Sequence, residues 1–500
     1  MKFDKRVQKA VEYVLEKLKN KTLAKFLLST LIAFFQVFYI LLRYKYINSE
    51  IPFWFTRIWG DFQLAPKMTL FLVPLISLGV TLLGLLFVLI NNLYIKFVDE
   101  VVWFVVGFCN LVLSYSVFRI IQVSSIAYKP FISPLYVSLF PSFVVAFLGV
   151  YILTPFFIEF AQRKKMVTNP SVHKHPGMIL ENPSARGGGL VYGLVFLAAS
   201  LVFVGINKNF SGLYLSVLMV SVLGILDDYQ NTHPKSGFSF LENPLLRLIL
   251  LFASVLPVIF SGVLIRTVSN PFGGMINLDI IRFGFLGREI SLIPVILTTI
   301  WVVWFMNVLS WSNGIDGQYS GIVGIASVLV ALLALRFEVL EPYHTQIATL
   351  AAISAGAAFG TVKFNWYPSK IMWGFGAMTV GLVVASLAIY ARARITASVL
   401  IILIPFLDAA VTVVRRLLKG KNPFKGDRGH LHHVLMERGW GVRRIALFYW
   451  VATALFGLVG LLSSEVHVFK VGFFIAGFVG FMIVLLNVRV LRDKVETLTD

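Results

Sequence analysis

The chain has 500 residues, of which 58% are hydrophobic and 14% charged, where a soluble domain carries about 25% charged side chains. That balance excludes a soluble domain, a string of soluble domains and a disordered chain, and predicts an all-α polytopic membrane protein. The net charge of +20 fits Lys and Arg gathered in cytoplasmic loops, so the expected surroundings are the membrane bilayer and no nucleic acid is expected as a partner.

Residues 1–25 set Val7, Ala10, Val11, Val14, Leu15 and Leu18 at helical spacing among Lys5, Arg6, Lys9, Lys17 and Lys19. This predicts a basic amphipathic helix lying in the interface of an anionic leaflet. It has no short apolar core followed by a small-residue cleavage site, so no cleavable signal peptide is expected. A bilayer core of about 30 Å needs roughly 20 apolar residues per helix. About fourteen stretches meet that demand, near 26–43, 69–90, 101–122, 134–158, 188–207, 211–226, 244–266, 290–311, 319–336, 346–362, 371–390, 396–414, 444–463 and 468–491. The first three form an extra N-terminal transmembrane region over 26–130. The remaining eleven form a core over 131–492, followed by a tail over 493–500. The single cysteine, Cys109, lies in an early apolar run, which excludes an internal disulfide and gives no sign of a thiol metal site.

With the first helix cytoplasmic, fourteen spans bring the C-terminus back to the same side. Loops 159–187, 227–243, 312–318, 363–370 and 415–443 then lie inside, and the last carries Arg415, Arg416, Lys419, Lys421, Lys425, Arg428, Arg438 and Arg443. Loops 208–210, 337–345 and 464–467 lie outside with little positive charge. Loops 44–68 and 267–289 weaken the contrast, but the expectation is a cell (inner) membrane protein with both termini cytoplasmic.

The unusual polar chemistry falls in or beside the inside loops, so several separated segments are expected to meet on one face of the bundle. Asp227 and Asp228 end a span, where the helix dipole is already negative. A divalent cation or a charged partner would relieve their repulsion, and Mg²⁺ suits carboxylates joined by substrate phosphates. The run from Asn307 through Asn313, Gly314 and Asp316 to Gly317 ends another span with amides, a carboxylate and glycines that permit close backbone approach. Asp427, Arg428, His430, His432 and His433 come after a basic stretch. Their spacing lacks the separated Cys or acidic partners of a zinc site, and imidazoles flanked by arginines suit an oxyanion such as a diphosphate. Arg186 precedes three glycines at a helix start, where backbone N–H groups meet phosphate. His173 and His175 read equally well as ordinary loop residues.

Taken together, these residues resemble the polyprenyl-phosphate N-acetylhexosamine-1-phosphate transferases of glycosyltransferase family 4. The likeness covers roughly 134–491, the eleven-helix transferase core. It is most specific from Pro405 and Asp408, through Arg415 and Arg416, to Asn422–His433, and extends to Asp227-Asp228, Asn270–Gly274 and Phe364-Asn365 before Pro368. The His-x-His-His pattern resembles the bacterial undecaprenyl-phosphate GlcNAc-1-phosphate branch more than the muramoyl-pentapeptide branch. The resemblance implies that a polyprenyl phosphate attacks the β-phosphate of a UDP-sugar, releasing UMP and starting a surface glycan, with Mg²⁺ as cofactor. It assigns Asp227 and Asp228 to metal or lipid-phosphate activation and Asn307, Asn313 and Asp316 to the nucleotide. It assigns Arg428, His430, His432 and His433 to the diphosphate; Arg247 stands where the family often has Lys.

The family motif is degenerate in two places. The amide loop reads Asn307, Ser310, Asn313, Asp316, with Ser310 where a second Asn is usual. The segment Trp373-Gly374-Phe375-Gly376-Ala377 lacks the family's metal-ligand Asp, which aligns to Gly374 or Phe375. An Asp restored at 374 or 375 is expected to raise Mg²⁺ affinity. A catalytically impaired pseudoenzyme or membrane scaffold of the same fold stays open, a transporter less so, and so does a homodimer.

Overall fold

Although the one expected over 371–390 opens with a short strand, Ile371–Met372, and becomes α-helical only from Ala377, each of the fourteen apolar stretches contains a helix in the computed structural model. It describes residues 21–499 except 55–56, 58–59, 91–95, 126–133, 169–182, 271–273, 286–287, 338–339, 392–394, 419, 421–428 and 464–467. Most of the amphipathic helix expected over 1–25 therefore lies outside the described residues, as do His173, His175, Asp427 and Arg428. Among the described residues, nine helices are long and apolar enough to cross a membrane, and four shorter apolar ones accompany them.

The chain divides into two compact units, Met1–Val137 and Ser138–Asp500. The first contains α1 (Lys21–Arg43), α2 (Leu72–Ile90) and α3 (Lys96–Ser124). Lipid offers no hydrophobic drive between helices, so buried polar side chains help to join them. Gln36 of α1 donates to Ser114 Oγ of α3 (2.8 Å), Ser77 of α2 donates to Asn110 Oδ1 of α3 (2.7 Å), and Asn110 donates to Thr81 Oγ1 (3.0 Å).

The second unit contains α4 (Phe140–Arg163), α5 (Gly188–Phe203), α6 (Ser211–Thr232), α7 (Pro244–Phe260), α8 (Leu292–Trp311), α9 (Gln318–Ala334), α10 (Pro342–Asn365) and α11 (Ala377–Tyr390). It continues with α12 (Ile395–Ile401), α13 (Leu403–Leu418), α14 (Leu431–Glu437), α15 (Val442–Leu462) and α16 (Val468–Thr499). The span expected over 396–414 is thus two helices. The cause is Pro405, whose ring has no N–H for the Ile401 carbonyl and collides with it, so the ladder breaks one turn before the proline.

A small mixed sheet also stands among the helices. Val167–Thr168 pairs antiparallel with Ser184–Arg186, which pairs parallel with Ile371–Met372, so that Arg186 lies opposite Met372. Beyond Met372 the chain makes a 3₁₀ turn, Gly374–Gly376, before α11. Trp373, 1% exposed, anchors it: its indole N–H donates to Ser320 Oγ (3.0 Å), and its ring meets Tyr192 and Tyr319 edge-on. Tyr319 in turn donates to the Ala377 carbonyl (2.6 Å).

Glycine then brings α5 and α6 against this turn. A Cβ on Gly189 would lie 2.3 Å from the Gly376 backbone, and one on Gly224 would lie 2.9 Å from Gly376 Cα. Neither neighbour is the end of a side chain that could swing away. Gly189→Ala is therefore expected to destabilise the chain by about 1–3 kcal/mol, the usual cost of overpacking, read as a lowered Tm in detergent. A variant that melts with the parent contradicts the contact.

Candidate active site

Gly224 seats α6 against the 3₁₀ turn, and one helical turn further along Asp228 points at that same turn. Asp228 Oδ1 accepts the Phe375 backbone N–H (3.1 Å). Arg186 Nη1 lies 3.7 Å from the same oxygen, delivered by the strand that pairs with Ile371–Met372. Asp227 faces α7. Asn243 caps that helix by accepting the Leu245 N–H (2.9 Å), Pro244 occupies its first turn, and Arg247 comes next with Nη1 3.1 Å from Asp227 Oδ1. Asn231 donates to Asp227 Oδ2 (2.6 Å). Each carboxylate thus has its own arginine, as buried charges require, since losing one partner of a buried pair typically costs about 3–5 kcal/mol.

The amide loop joins the same framework. Asp316 Oδ2 accepts the Ser369 backbone N–H (2.9 Å), two residues before the strand that leads to the 3₁₀ turn. Asn307 bonds its own helix, Nδ2 donating to the Val303 carbonyl (2.8 Å), and the Asn313 N–H donates to the Ser310 carbonyl (3.1 Å). At Gly314 a Cβ would lie 2.3 Å from His432 Nε2, so the amide loop and the histidine loop are in direct contact.

His430, His432 and His433 cluster, with ring centroids 5.7 Å apart for the first two and 4.3 Å for the last two. Asp408 holds this loop. Its Oδ2 lies 3.0 Å from His430 Nδ1, and its Oδ1 accepts the Leu431 N–H (2.7 Å) at the start of α14. Asp408 falls within the stretch of most specific family likeness, but no role in the site follows from the sequence; its one local signal is a lone carboxylate in an apolar run. Arg415 reaches the same loop, donating to the Gly429 carbonyl (2.8 Å).

The structure brings Asp228, Arg186 and the 374–375 segment together, Asp227 with Arg247, Asp316 with Ser369, and Gly314 with His432. Asp at 374, expected to improve metal binding, meets a steric obstacle. Gly374 has φ +61°, and a Cβ there would lie 2.1 Å from Asp228 Oδ2. Position 375 has no such conflict, but Arg247 already lies over the Phe375 ring, 5.8 Å from its centroid.

Mg²⁺ asks for near-octahedral oxygen ligands at about 2.0–2.1 Å. Three of the four oxygens of the acidic pair already accept N–H groups, from Arg247, Asn231 and Phe375. The fourth, Asp228 Oδ2, is buried beside Gly374 and has no hydrogen-bond partner among the described residues, but a single free oxygen is one ligand of the six that Mg²⁺ needs. Among the described residues, no three of His, Cys, Asp and Glu assemble as a metal site. With three oxygens engaged and no third ligand residue among the described residues, the donor set does not fit Mg²⁺.

Residues 210–392, which include the acidic pair, Arg247, the amide loop and the 374–375 segment, match the family model described as Glycosyl transferase family 4. The chain is 25% identical over 364 residues to a "Probable undecaprenyl-phosphate N-acetylglucosaminyl 1-phosphate transferase" of Bacillus subtilis (strain 168), covering 71% of this chain and 92% of the relative. It is 25% identical over 307 residues to a "Decaprenyl-phosphate N-acetylglucosaminephosphotransferase" of Mycobacterium tuberculosis (strain ATCC 25618 / H37Rv), covering 55% and 71%. A "Phospho-N-acetylmuramoyl-pentapeptide-transferase" of Staphylococcus carnosus (strain TM300) is 24% identical over 330 residues, covering 64% and 97%.

The histidine loop can be tested at two positions. Asp408→Ala leaves the buried Leu431 N–H and His430 without their acceptor, so it is expected to cost about 1–3 kcal/mol, read as a lowered Tm. Burial holds the His432 imidazole well below the usual histidine range, with His433 and His430 adding to the effect. The unfolded chain takes up this proton near pH 6.5 while the folded chain resists it, so stability is full above about pH 6.5 and falls on acidification, by at most about 1.4 kcal/mol per pH unit. His432→Gln should flatten that slope in Tm measured between pH 7 and pH 5; an equal slope contradicts the assignment.

Proposed function

The chain is a member of the polyprenyl-phosphate N-acetylhexosamine-1-phosphate transferase family, and from that premise we propose that it transfers GlcNAc-1-phosphate from UDP-GlcNAc to undecaprenyl phosphate, starting a cell-surface glycan. An oxygen of the lipid phosphate forms a bond to the β-phosphorus of the UDP-sugar. The bond from that phosphorus to the oxygen bridging to UMP breaks, and UMP leaves with the electron pair. The products are polyprenyl-diphospho-sugar and UMP. The proposed setting is the cell (inner) membrane with both termini cytoplasmic, where the UDP-sugar arrives from solution and the lipid from the bilayer.

The observation that carries this reading is convergence. Segments from α6, α7, the 307–317 loop, the 369–377 segment and the 430–433 loop connect through direct contacts although they are spread over the second unit. Phosphoryl transfer asks a protein mainly to position phosphates and stabilise their charge, and this arrangement offers both. Asp408 accepts from Nδ1 of His430, and in the imidazolium form of that ring Nε2–H is the donor that would meet a phosphate oxygen. Asn313 and Asp316, on the loop that touches His432, are proposed to orient the nucleotide. The His-x-His-His pattern favours GlcNAc over a muramoyl-pentapeptide donor. A second reading, a non-catalytic scaffold of the same fold, draws support from Gly374, where the acidic ligand is absent.

The deciding assay incubates the purified chain with UDP-GlcNAc and undecaprenyl phosphate in Mg²⁺ buffer and measures UMP. Release is expected to fall by roughly 10²-fold in Asp228→Asn, the scale of losing one preorganised electrostatic element. No UMP above a control carrying Asp227→Asn and Asp228→Asn would favour the scaffold.

A further inference from the structure

The acidic pair is covered rather than open. Asp228 and Asp227 have side chains 0% and 4% exposed, while those of Arg186 and Arg247 are 23% and 29% exposed. Anything approaching from solvent therefore meets guanidinium before carboxylate. Two positive charges stand against two negative ones, so the pair offers little net field to draw in a cation. Both arginines are held in place by neighbours. Arg186 Nε also donates to Thr168 Oγ1 across the small sheet, and Arg247 rests over Phe375 from the first turn of a capped helix.

We infer that Arg186 and Arg247 take the place of a divalent ion in this chain, so that a substrate diphosphate is met by two guanidinium groups and Asp227 and Asp228 serve as positioning residues for them. This rests on the transferase reading for the identity of the diphosphate, but not for the statement about the metal. Guanidinium suits the task chemically: its planar fork makes paired N–H bonds to phosphate oxygens and it stays charged at any working pH. The missing carboxylate at 374 belongs to the same arrangement. A third anion beside Asp228 would restore the negative excess that the two arginines now balance, and the backbone of Gly374 leaves no room for it. No bond is made or broken on the arginines; they stabilise charge on the phosphate oxygens while the phosphorus changes partner.

The test titrates Mn²⁺ into the purified chain in detergent and tracks the free-ion EPR signal, with no nucleotide present. The parent is expected to bind no Mn²⁺ at this pair with Kd below about 1 mM, weak even for a low-affinity cation site. The variant carrying Arg186→Gln and Arg247→Gln should bind at least tenfold more tightly, and adding Asp227→Asn should remove the gain. Parent binding stronger than about 0.1 mM that disappears in Asp227→Asn overturns the inference. So does a folded arginine variant that binds no better than the parent. If that variant does not fold, the parent and Asp227→Asn titrations decide alone. For turnover, UMP release in EDTA should stay within about twofold of that in Mg²⁺, a spread well under the tenfold that 1.36 kcal/mol of barrier represents; loss in EDTA with recovery on adding Mg²⁺ overturns the inference. A chain that releases no UMP in either buffer sinks the transferase reading, and the Mn²⁺ titration still decides this one.

Discussion

Two adjacent buried carboxylates are the constraint around which the second unit is organised. Ionised groups that leave water must recover the lost hydration from fixed partners, and the cost of failing to do so exceeds most single interactions in a protein. Asp227 and Asp228 sit side by side on one helix, so they face different neighbours and need different solutions. Asp227 takes Arg247 from α7 and Asn231 from its own helix, while Asp228 takes the Phe375 backbone N–H and Arg186. Partnering three of their four oxygens ties α6 to α7 and to the 3₁₀ turn before α11, and Arg186 adds the small sheet.

The close approach that makes this feasible depends on missing side chains. Gly189 and Gly224 let α5 and α6 reach the backbone of Gly376, and Gly374 lets the turn lie against the Asp228 carboxylate. Small residues at helix contacts are the usual means of tight packing in a membrane, where lipid competes for apolar surfaces on equal terms. Trp373 supplies the opposite element. Its buried ring fills the space behind the turn, and its indole N–H joins Ser320, which also bonds Thr361 and Asn365. The acidic pair is thus placed by backbone geometry and an aromatic anchor, with little left to side-chain rotation.

The all-α architecture is legible because apolar length is a strong signal: every expected span contains a helix, and the acidic pair, the amide loop and the histidine loop are marked by polar residues at or beyond the ends of apolar runs. The break at Ile402 was also written in the sequence, at Pro405, but an uninterrupted apolar run hid it. The pairings were not legible. Arg186 precedes a glycine run and read as part of a helix start, yet it reaches Asp228 because two short strands, too brief to show alternation, align it with Met372. Asp408 stands alone in an apolar run, and its partners His430 and Leu431 lie on a separate segment beyond a basic stretch of sequence. Contacts of this kind depend on how helices pack, which periodicity along one segment does not encode.

Whether the cation beside the acidic pair is an arginine or an exchangeable ion changes what the site does before substrate arrives. A divalent ion brings two charges, a geometry of its own and a dependence on its concentration, and it leaves the carboxylates exposed to repulsion when it departs. Arginines are permanent and placed by folding, so the charge that meets a phosphate is present in every copy of the chain. The cost is reach. A guanidinium binds through N–H groups fixed in one plane, so it rewards a diphosphate held in one orientation and tolerates misalignment poorly. Such a site leans more heavily on the loops that set that orientation. For the arrangement proposed above, this gives a physical sense to the contact between Gly314 and His432 and to the hold of Asp408 on His430: with the positive charges fixed by folding, the 307–317 and 430–433 loops would be the parts that bring phosphates to them.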